Sequence, residues 1–303
     1  MVSKPGKQLH PTLDRAHRKF TITIKADMKI HTYTSKEPML KVNAFIIESK
    51  EGLVLIDTTL TKSDSLALKS LADSLGKPIR GIVLTHGHPD HVAGTGILVP
   101  AGGVPIYALA SVKALMESTE AAKHQQWSGV FGAEWIPKWV YPDNLVKDGD
   151  KVTIGDVCLK VHDIGSGGDC DANSIWLLEG DSSAAFIGDF VYSQNHTFMA
   201  DGSILRWLAN LEKWAPALQA YKSYYVGHGP TCDYSALAAQ RDYLLHYSAR
   251  LLEIAGDSAT VSEEATQKLT QDLVKRYPSY GCQFMIGLSL PSVLAELRSK
   301  SSC

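Results

Sequence analysis

Residues 86–91 read His-Gly-His-Pro-Asp-His, so three of the chain's eleven histidines and one aspartate fall within six positions. Imidazole and carboxylate are the side chains that bind borderline cations such as zinc near neutral pH. A helix would scatter six consecutive residues around its axis. An irregular loop after a strand can turn four of them towards one or two points, and Gly94 follows closely enough to leave the backbone free to turn. The chemistry this pattern predicts is metal binding, and through it the activation of water.

Such a loop needs a rigid base. Gly81-Ile82-Val83-Leu84-Thr85 is a short apolar run without alternation, as a strand buried on both faces requires. Before it, strand-like runs occur at Phe20–Ile24, Lys29–Tyr33, Val42–Glu48 and Leu53–Ile56, the last two flanking a Lys50-Glu51-Gly52 hairpin turn. Thr61 and Asp64 open a helix, Leu68, Leu71 and Leu75 recur at helical spacing, and Gly76 and Pro78 end it. The same grammar returns later. Val152–Ile154, Val157–Val161, Ser174–Leu178 and Ala184–Ile187 read as strands, 204–220 as a helix and Ser223–Val226 as a further strand. Strands followed by a helix, twice over, predict two similar layers packed together.

The last seventy residues differ: Leu237, Leu244, Tyr247, Leu251 and Ile254 form a helical stripe that stops at Gly256, and Thr260 with Glu263 opens another helix. The stripe is expected to pack on the main core; a homodimer through these helices is the competing expectation.

The chain has 303 residues, 45% of them apolar, which suffices for a substantial core and excludes intrinsic disorder. Thirty basic residues against 32 acidic ones argue against a nucleic-acid partner. No apolar run approaches the ~18–20 residues that cross a bilayer, so no membrane partner is expected. The basic amino terminus lacks the apolar stretch of a secretory signal. Five scattered cysteines without a CxxC pair fit a reducing, cytoplasmic setting better than a disulfide framework.

The stretch Leu84-Thr85-His86-Gly87-His88-Pro89-Asp90-His91 resembles the HxHxDH signature of the metallo-β-lactamase superfamily. Other landmarks follow in order: Asp57 after the run Leu53–Ile56, Asp189 in Phe186-Ile187-Gly188-Asp189-Phe190, and His228 in Val226-Gly227-His228-Gly229. The resemblance spans roughly residues 20 to 232. It implies an α/β (α+β) fold, the αββα sandwich of two mixed β-sheets. An arm over 1–19 would precede it, and a helical C-terminal extension over 233–303 would pack on it. It further implies that His86 and His88 bind a first metal, that Asp90, His91 and His228 bind a second, that Asp189 bridges them, and that Asp57 orients a ligand without touching metal. Two Zn2+ ions are the expected cofactor, with iron the alternative. Water held between them would lose its proton and attack a polarised carbonyl, with Asp90 as a catalytic group.

The third motif departs from the family pattern. The segment Asp163-Ile164-Gly165-Ser166-Gly167-Gly168-Asp169-Cys170-Asp171-Ala172-Asn173-Ser174-Ile175 holds no histidine, and His162 reads as an ordinary strand residue. Counting back from Ile175 puts Cys170 at the ligand position, with Asp169 and Asp171 beside it. A Cys170 thiolate is one reading, because zinc accepts thiolates and lowers their pKa. A carboxylate from Asp169 or Asp171 is the second; a first site held by His86, His88 and Asp189 alone is the third.

Tyr192 follows Asp189 by three residues and resembles a tyrosine with which some family lactonases hold a carbonyl oxygen, though it also suits packing at a strand end. His196 is placed to shuttle a proton or simply to face solvent. Trp127, Phe131, Trp135, Trp139 and Tyr141, with Phe198, Met199 and Trp207, suggest a pocket for a small apolar or aromatic substrate, or packing beneath a lid. Arg206 is a candidate partner for a substrate carboxylate.

The expected activity is metal-dependent hydrolysis of an ester, lactone, thioester or amide. The alternatives are an iron oxidoreductase of the same superfamily, such as a persulfide dioxygenase, and a non-catalytic metal-binding module.

Overall fold

The computed structural model describes residues 28–100, 103–180 and 184–299. The expected arm over 1–19 and the strand Phe20–Ile24 lie outside the described residues. Among the described residues, no helix is long and apolar enough to cross a membrane.

Two sheets face each other. The first has six strands in chain order: β1 (Lys29–Thr34), β2 (Asn43–Glu48), β3 (Leu53–Ile56), β4 (Ile79–Val83), β5 (Ile106–Leu109) and β6 (Asn144–Val146). β1, β2 and β3 are antiparallel, while β3 through β6 are parallel. The second sheet is ordered β11 (Ser223–His228), β10 (Ala184–Tyr192), β9 (Asn173–Leu178), β8 (Val157–Gly165), β7 (Lys151–Ile154). Only β10 and β11 run parallel in it. Phe45 of β2 meets Phe186 of β10 and Tyr225 of β11 at ring distances of 5.7 and 5.2 Å, which ties the inner faces together.

Helices cover the outside. α1 (Lys62–Ser74) starts as its sequence predicts, with Thr61 Oγ1 accepting from the Asp64 N–H and donating to the Asp64 carboxylate. It buries Leu68 and Ala72 against the first sheet. Single helical turns α2 (Pro89–Val92) and α3 (Thr95–Leu98) follow β4, and the long α4 (Ala110–Phe131) follows β5. α5 (Ile204–Leu218) covers the second sheet with Ile204, Trp207, Leu211 and Leu218. The C-terminal extension contains α6 (Ser235–Ala255), α7 (Glu263–Arg276) and α8 (Phe284–Ser299) on the same core. This is the αββα sandwich of two mixed sheets with a helical C-terminal extension.

Local details differ from the sequence expectation. β5, β6 and α4 are additional to the strands and helices read from the sequence. Trp127 and Phe131 lie on α4, between β5 and β6. The cap of α7 is Ser262, whose hydroxyl accepts from the Ala265 N–H, rather than Thr260. β9 starts at Asn173, two residues before the Ile175 from which the third motif is counted.

Candidate metal centre

The C-terminal ends of two parallel strand pairs converge. β3 ends at Ile56 and delivers Asp57; β4 leads into His86–His91; β10 carries Asp189 and Tyr192; β11 ends at His228. Parallel neighbours end at the same edge, so the side chains that follow them gather there without long reach. Tyr192 pairs in register with His228, and their rings stack at 4.8 Å and 5°.

Three overlapping groups bring ligand atoms within 4.8 Å of one another: His86, His88, Asp169 and Asp189; Asp57, His86 and His91; and Asp90, His91 and His228. Asp189 sits between the halves, with Oδ2 3.0 Å from His228 Nε2 and 3.9 Å from His86 Nε2, and Oδ1 3.4 Å from His91 Nε2. Each half then offers two imidazoles and one carboxylate beside the shared Asp189. All of these residues are buried.

Every histidine is held from behind. His91 Nδ1 donates to Asp57 Oδ2 at 2.9 Å, and His228 Nδ1 donates to the Leu40 carbonyl at 2.8 Å. His86 Nδ1 lies 3.1 Å from Thr85 Oγ1, which donates to Asp57 Oδ2. His88 Nε2 donates to Asp201 Oδ2 at 3.2 Å. In each ring the second nitrogen then faces the carboxylates, the direction in which a metal would be bound.

Cys170 does not join the cluster. Its thiol points to the Ala172 carbonyl at 3.5 Å and to Asn173 Oδ1 at 3.6 Å. Asn173 Nδ2 donates to the carbonyls of Cys170 and Gly165, which fixes the loop in that orientation. Burial, then the neighbouring Asp169 charge, push the thiol pKa up, so it stays neutral. Asp169 takes the place instead: its Oδ2 is 2.8 Å from His88 Nδ1, 3.1 Å from the Tyr192 hydroxyl and 3.8 Å from His86 Nε2. Asp171 is exposed. The neighbour of the predicted residue is used, since the loop fixed by Asn173 turns Asp169 inward and Cys170 away.

Tyr192 is in the site, donating its hydroxyl to Asp189 Oδ2 at 2.5 Å. His196 is neither solvent-facing nor at the cluster. It is fully buried under the C-terminal helices, with Nδ1 3.0 Å from the Tyr243 hydroxyl. Arg206 is exposed and donates to Ser166, outside the cavity. Trp207 and Met199 are core residues, the first donating to the Phe190 carbonyl, whereas Phe198 does line the cavity. His162 is on β8 beside Asp148, as a strand residue.

Nothing in the local sequence pattern signals Asp201, whose Oδ2 also contacts Lys123 Nζ at 2.5 Å, or the Leu40 carbonyl. The Ala200-Asp201-Gly202 run has only the look of a turn.

Electrostatics favour a positive charge at the centre. Burial opposes a proton on His88, but Asp169 and Asp201 outweigh it and raise the pKa to about 10. Burial likewise opposes a charge on His91, yet Asp189, Asp90 and Asp57 raise its pKa to about 9. Burial would raise Asp90, but His91 and His228 hold it well below the usual carboxylate range, so it is ionised. His86 goes the other way: burial and the neighbouring His91 keep it neutral. Among the described residues seven buried side-chain atoms find no hydrogen-bond partner, and four of them are in this cluster: His86 Nε2, His91 Nε2, Asp169 Oδ1 and Asp189 Oδ1. A protein rarely leaves one such atom unsatisfied, and here four lie in a single cluster of metal-binding type. The residues present fit divalent cations.

Backbone close to the cluster is shaped for it. A Cβ on Gly227 would sit 1.8 Å from Asp189 Oδ1 and 2.7 Å from His91 Cε1. The glycine before His228 is what lets Asp189 lie against β11.

A profile of the metallo-beta-lactamase superfamily matches residues 38–239. The chain belongs to this superfamily. It is similar to the beta-lactamase-like protein 2 homolog of Caenorhabditis elegans, with 27% identity over 224 residues, 70% of this chain. The match covers 63% of that protein's length. Among solved structures, a metallo-beta-lactamase from Pontibacter korlensis superposes with a TM-score of 0.57 at 24% identity, covering 73% of this chain and 95% of that one. The FIM-1 metallo-beta-lactamase from Pseudomonas aeruginosa, in a mono-zinc form, gives 0.56 at 17% identity over 73% and 92%. These likenesses show the fold. Family membership and the His/Asp clusters together support a metal-dependent, hydrolase-like function.

Proposed function

We propose that the protein is a binuclear zinc hydrolase acting on the carbonyl of a small ester, lactone, thioester or amide. The observation that carries this is the cluster's four unpartnered buried ligand atoms, two of them on Asp169 and Asp189, which line an open cavity. His86, His88 and Asp169 would hold one cation, Asp90, His91 and His228 the other, with Asp189 shared. Zinc is also the ion in the FIM-1 structure of the same fold. Divalent cations so held supply Lewis acidity, polarising a carbonyl and making water acidic near neutrality.

The chain's own residues supply the rest. Asp90 is ionised and lines the cavity, so it can accept a proton from an attacking water. Tyr192 keeps Asp189 and Asp169 from rotating, since its one hydroxyl contacts both carboxylates. Asp57 and Asp201 hold the imidazole planes. The net reaction adds water across the acyl bond: the water oxygen bonds the carbonyl carbon, the bond to the leaving group breaks, and the leaving group takes a proton.

A second reading is an iron oxidoreductase, favoured by the two-imidazole, one-carboxylate composition of each half-site, a set that also suits iron. One experiment separates the two. The purified chain is assayed for metal content and colour, then tested on esters, lactones, thioesters and β-lactams before and after chelation. Colourless protein with zinc and chelator-sensitive hydrolysis supports the proposal. Turnover that survives full metal removal overturns it. Free thiols at the four described cysteines support a reducing compartment as its setting.

A further inference from the structure

Resting on the hydrolase reading above, we propose that the C-terminal extension makes this site selective for uncharged esters or lactones carrying an apolar acyl chain. The cavity over the metal cluster has a volume of about 380 Å³, within the usual range for small-ligand sites. Its polar residues lie at the floor, while its walls are apolar. Trp127, Val130 and Phe131 come from the end of α4, and Phe284, Met285 and Leu288 come from the start of α8.

Two features point to the ligand. The first is exposure at the mouth. Val130 is 68% exposed, Phe284 48% and Leu288 41%. Single exposed apolar residues are ordinary, but these three line one cavity from two helices. A bound apolar chain would remove them from water, and burial of apolar area drives binding. The second is charge. Among the described residues, Lys123 is the one Lys or Arg that lines the cavity, and its Nζ is committed to Asp201 at 2.5 Å. A substrate carboxylate placed along these walls would lose water without gaining a free cation, which is costly. An uncharged chain loses nothing.

The α8 wall lies outside the span matched by the superfamily profile. Phe284, Met285 and Leu288 lie beyond the 38–239 span shared with the superfamily. The cavity therefore need not resemble that of the β-lactamases with the same sandwich. Hydrolysis in it would break the acyl–oxygen bond of the ester, leaving the acyl chain as a carboxylate and the alkoxy oxygen protonated by the proton from water; a lactone would open to its hydroxy acid.

The test uses the full chain loaded with zinc and p-nitrophenyl acetate, butyrate and octanoate, with the mono-p-nitrophenyl ester of octanedioic acid as the charged counterpart. kcat/KM is expected to rise along the series, by up to about fourfold per buried methylene, and to fall back when the chain ends in a carboxylate. Leu288→Asp and Phe284→Asp are surface changes expected to collapse the octanoate-to-acetate ratio. Binding of the neutral dye Nile red, read by fluorescence, should weaken in the same variants. A flat chain-length series overturns the proposal while leaving the hydrolase reading intact. If no ester, lactone, thioester or β-lactam turns over at all, the hydrolase reading fails. Nile red binding then decides the cavity's preference by itself: loss in Leu288→Asp supports it, and no binding to the unaltered chain overturns it. A change of mass in light scattering for Leu288→Asp, together with a flat series, would make the patch a contact between two copies and also overturn it.

Discussion

Asp57 Oδ2 lies 2.9 Å from His91 Nδ1, and the residue holds this position with a left-handed backbone, φ 58°. Aspartate tolerates that conformation better than most residues. Its other oxygen accepts the Thr85 N–H at 2.7 Å, so one carboxylate fixes the start of the His-rich loop and the plane of a ligand within it. Asp57→Asn keeps the shape and removes the charge. Metal affinity should fall by about 10–100-fold, measured by competition with a chromophoric chelator. An unchanged affinity would show that Asp57 serves the loop alone.

Asp169 and Cys170 are adjacent and have opposite fates. Asp169→Asn should lower the bound metal per chain, whereas Cys170→Ser should leave it at the unaltered level. Elemental analysis after gel filtration reads both. Loss of metal from Cys170→Ser with Asp169→Asn unaffected would reverse the assignment.

Gly227→Ala places a methyl where Asp189 and His91 already are. Strain of this kind costs about 1–3 kcal/mol, and the carboxylate has no free direction in which to retreat. A lower melting temperature and reduced metal content are expected together. Melting unchanged from the parent chain would mean that β11 shifts freely.

His196 gives a pH dependence independent of the metal cluster. Burial pushes its pKa down to about 4, below the value of about 6.5 in an unfolded chain. The unfolded state therefore takes up a proton first as pH falls. Stability from this residue is complete above about pH 6.5 and is lost progressively between there and pH 4. His196→Gln should flatten the fall in denaturant stability across that window. A slope equal to that of the parent would sink the assignment.

The fold and much of the candidate site were legible because their signals are local. His86 to His91 sit within one loop, and Asp189 and His228 each end or interrupt an apolar strand run. The loop from Gly165 to Asn173 was not legible to the residue. Its ligand position depends on two hydrogen bonds from Asn173, and a shift of one residue exchanges a thiol for a carboxylate. Asp201 meets His88 across 113 residues and Lys123 meets Asp201 across 78, and no spacing rule reaches that far. His196 was misplaced for a related reason: a loop in the sequence became interior once α6 packed over it.

The strap Glu37–Lys41 gives His228 an unexpected dependence. Its Leu40 carbonyl orients the imidazole, while Glu37 accepts the backbone N–H of Cys282 from the far end of the chain. Asn195 and Gly281 are joined by a backbone bridge beside it. Removing everything after residue 239 would leave every ligand present in the polypeptide, yet would unfasten the clasp that keeps one of them turned inward. The working boundary of the metal centre thus falls some forty residues past the end of the span matched by the superfamily profile.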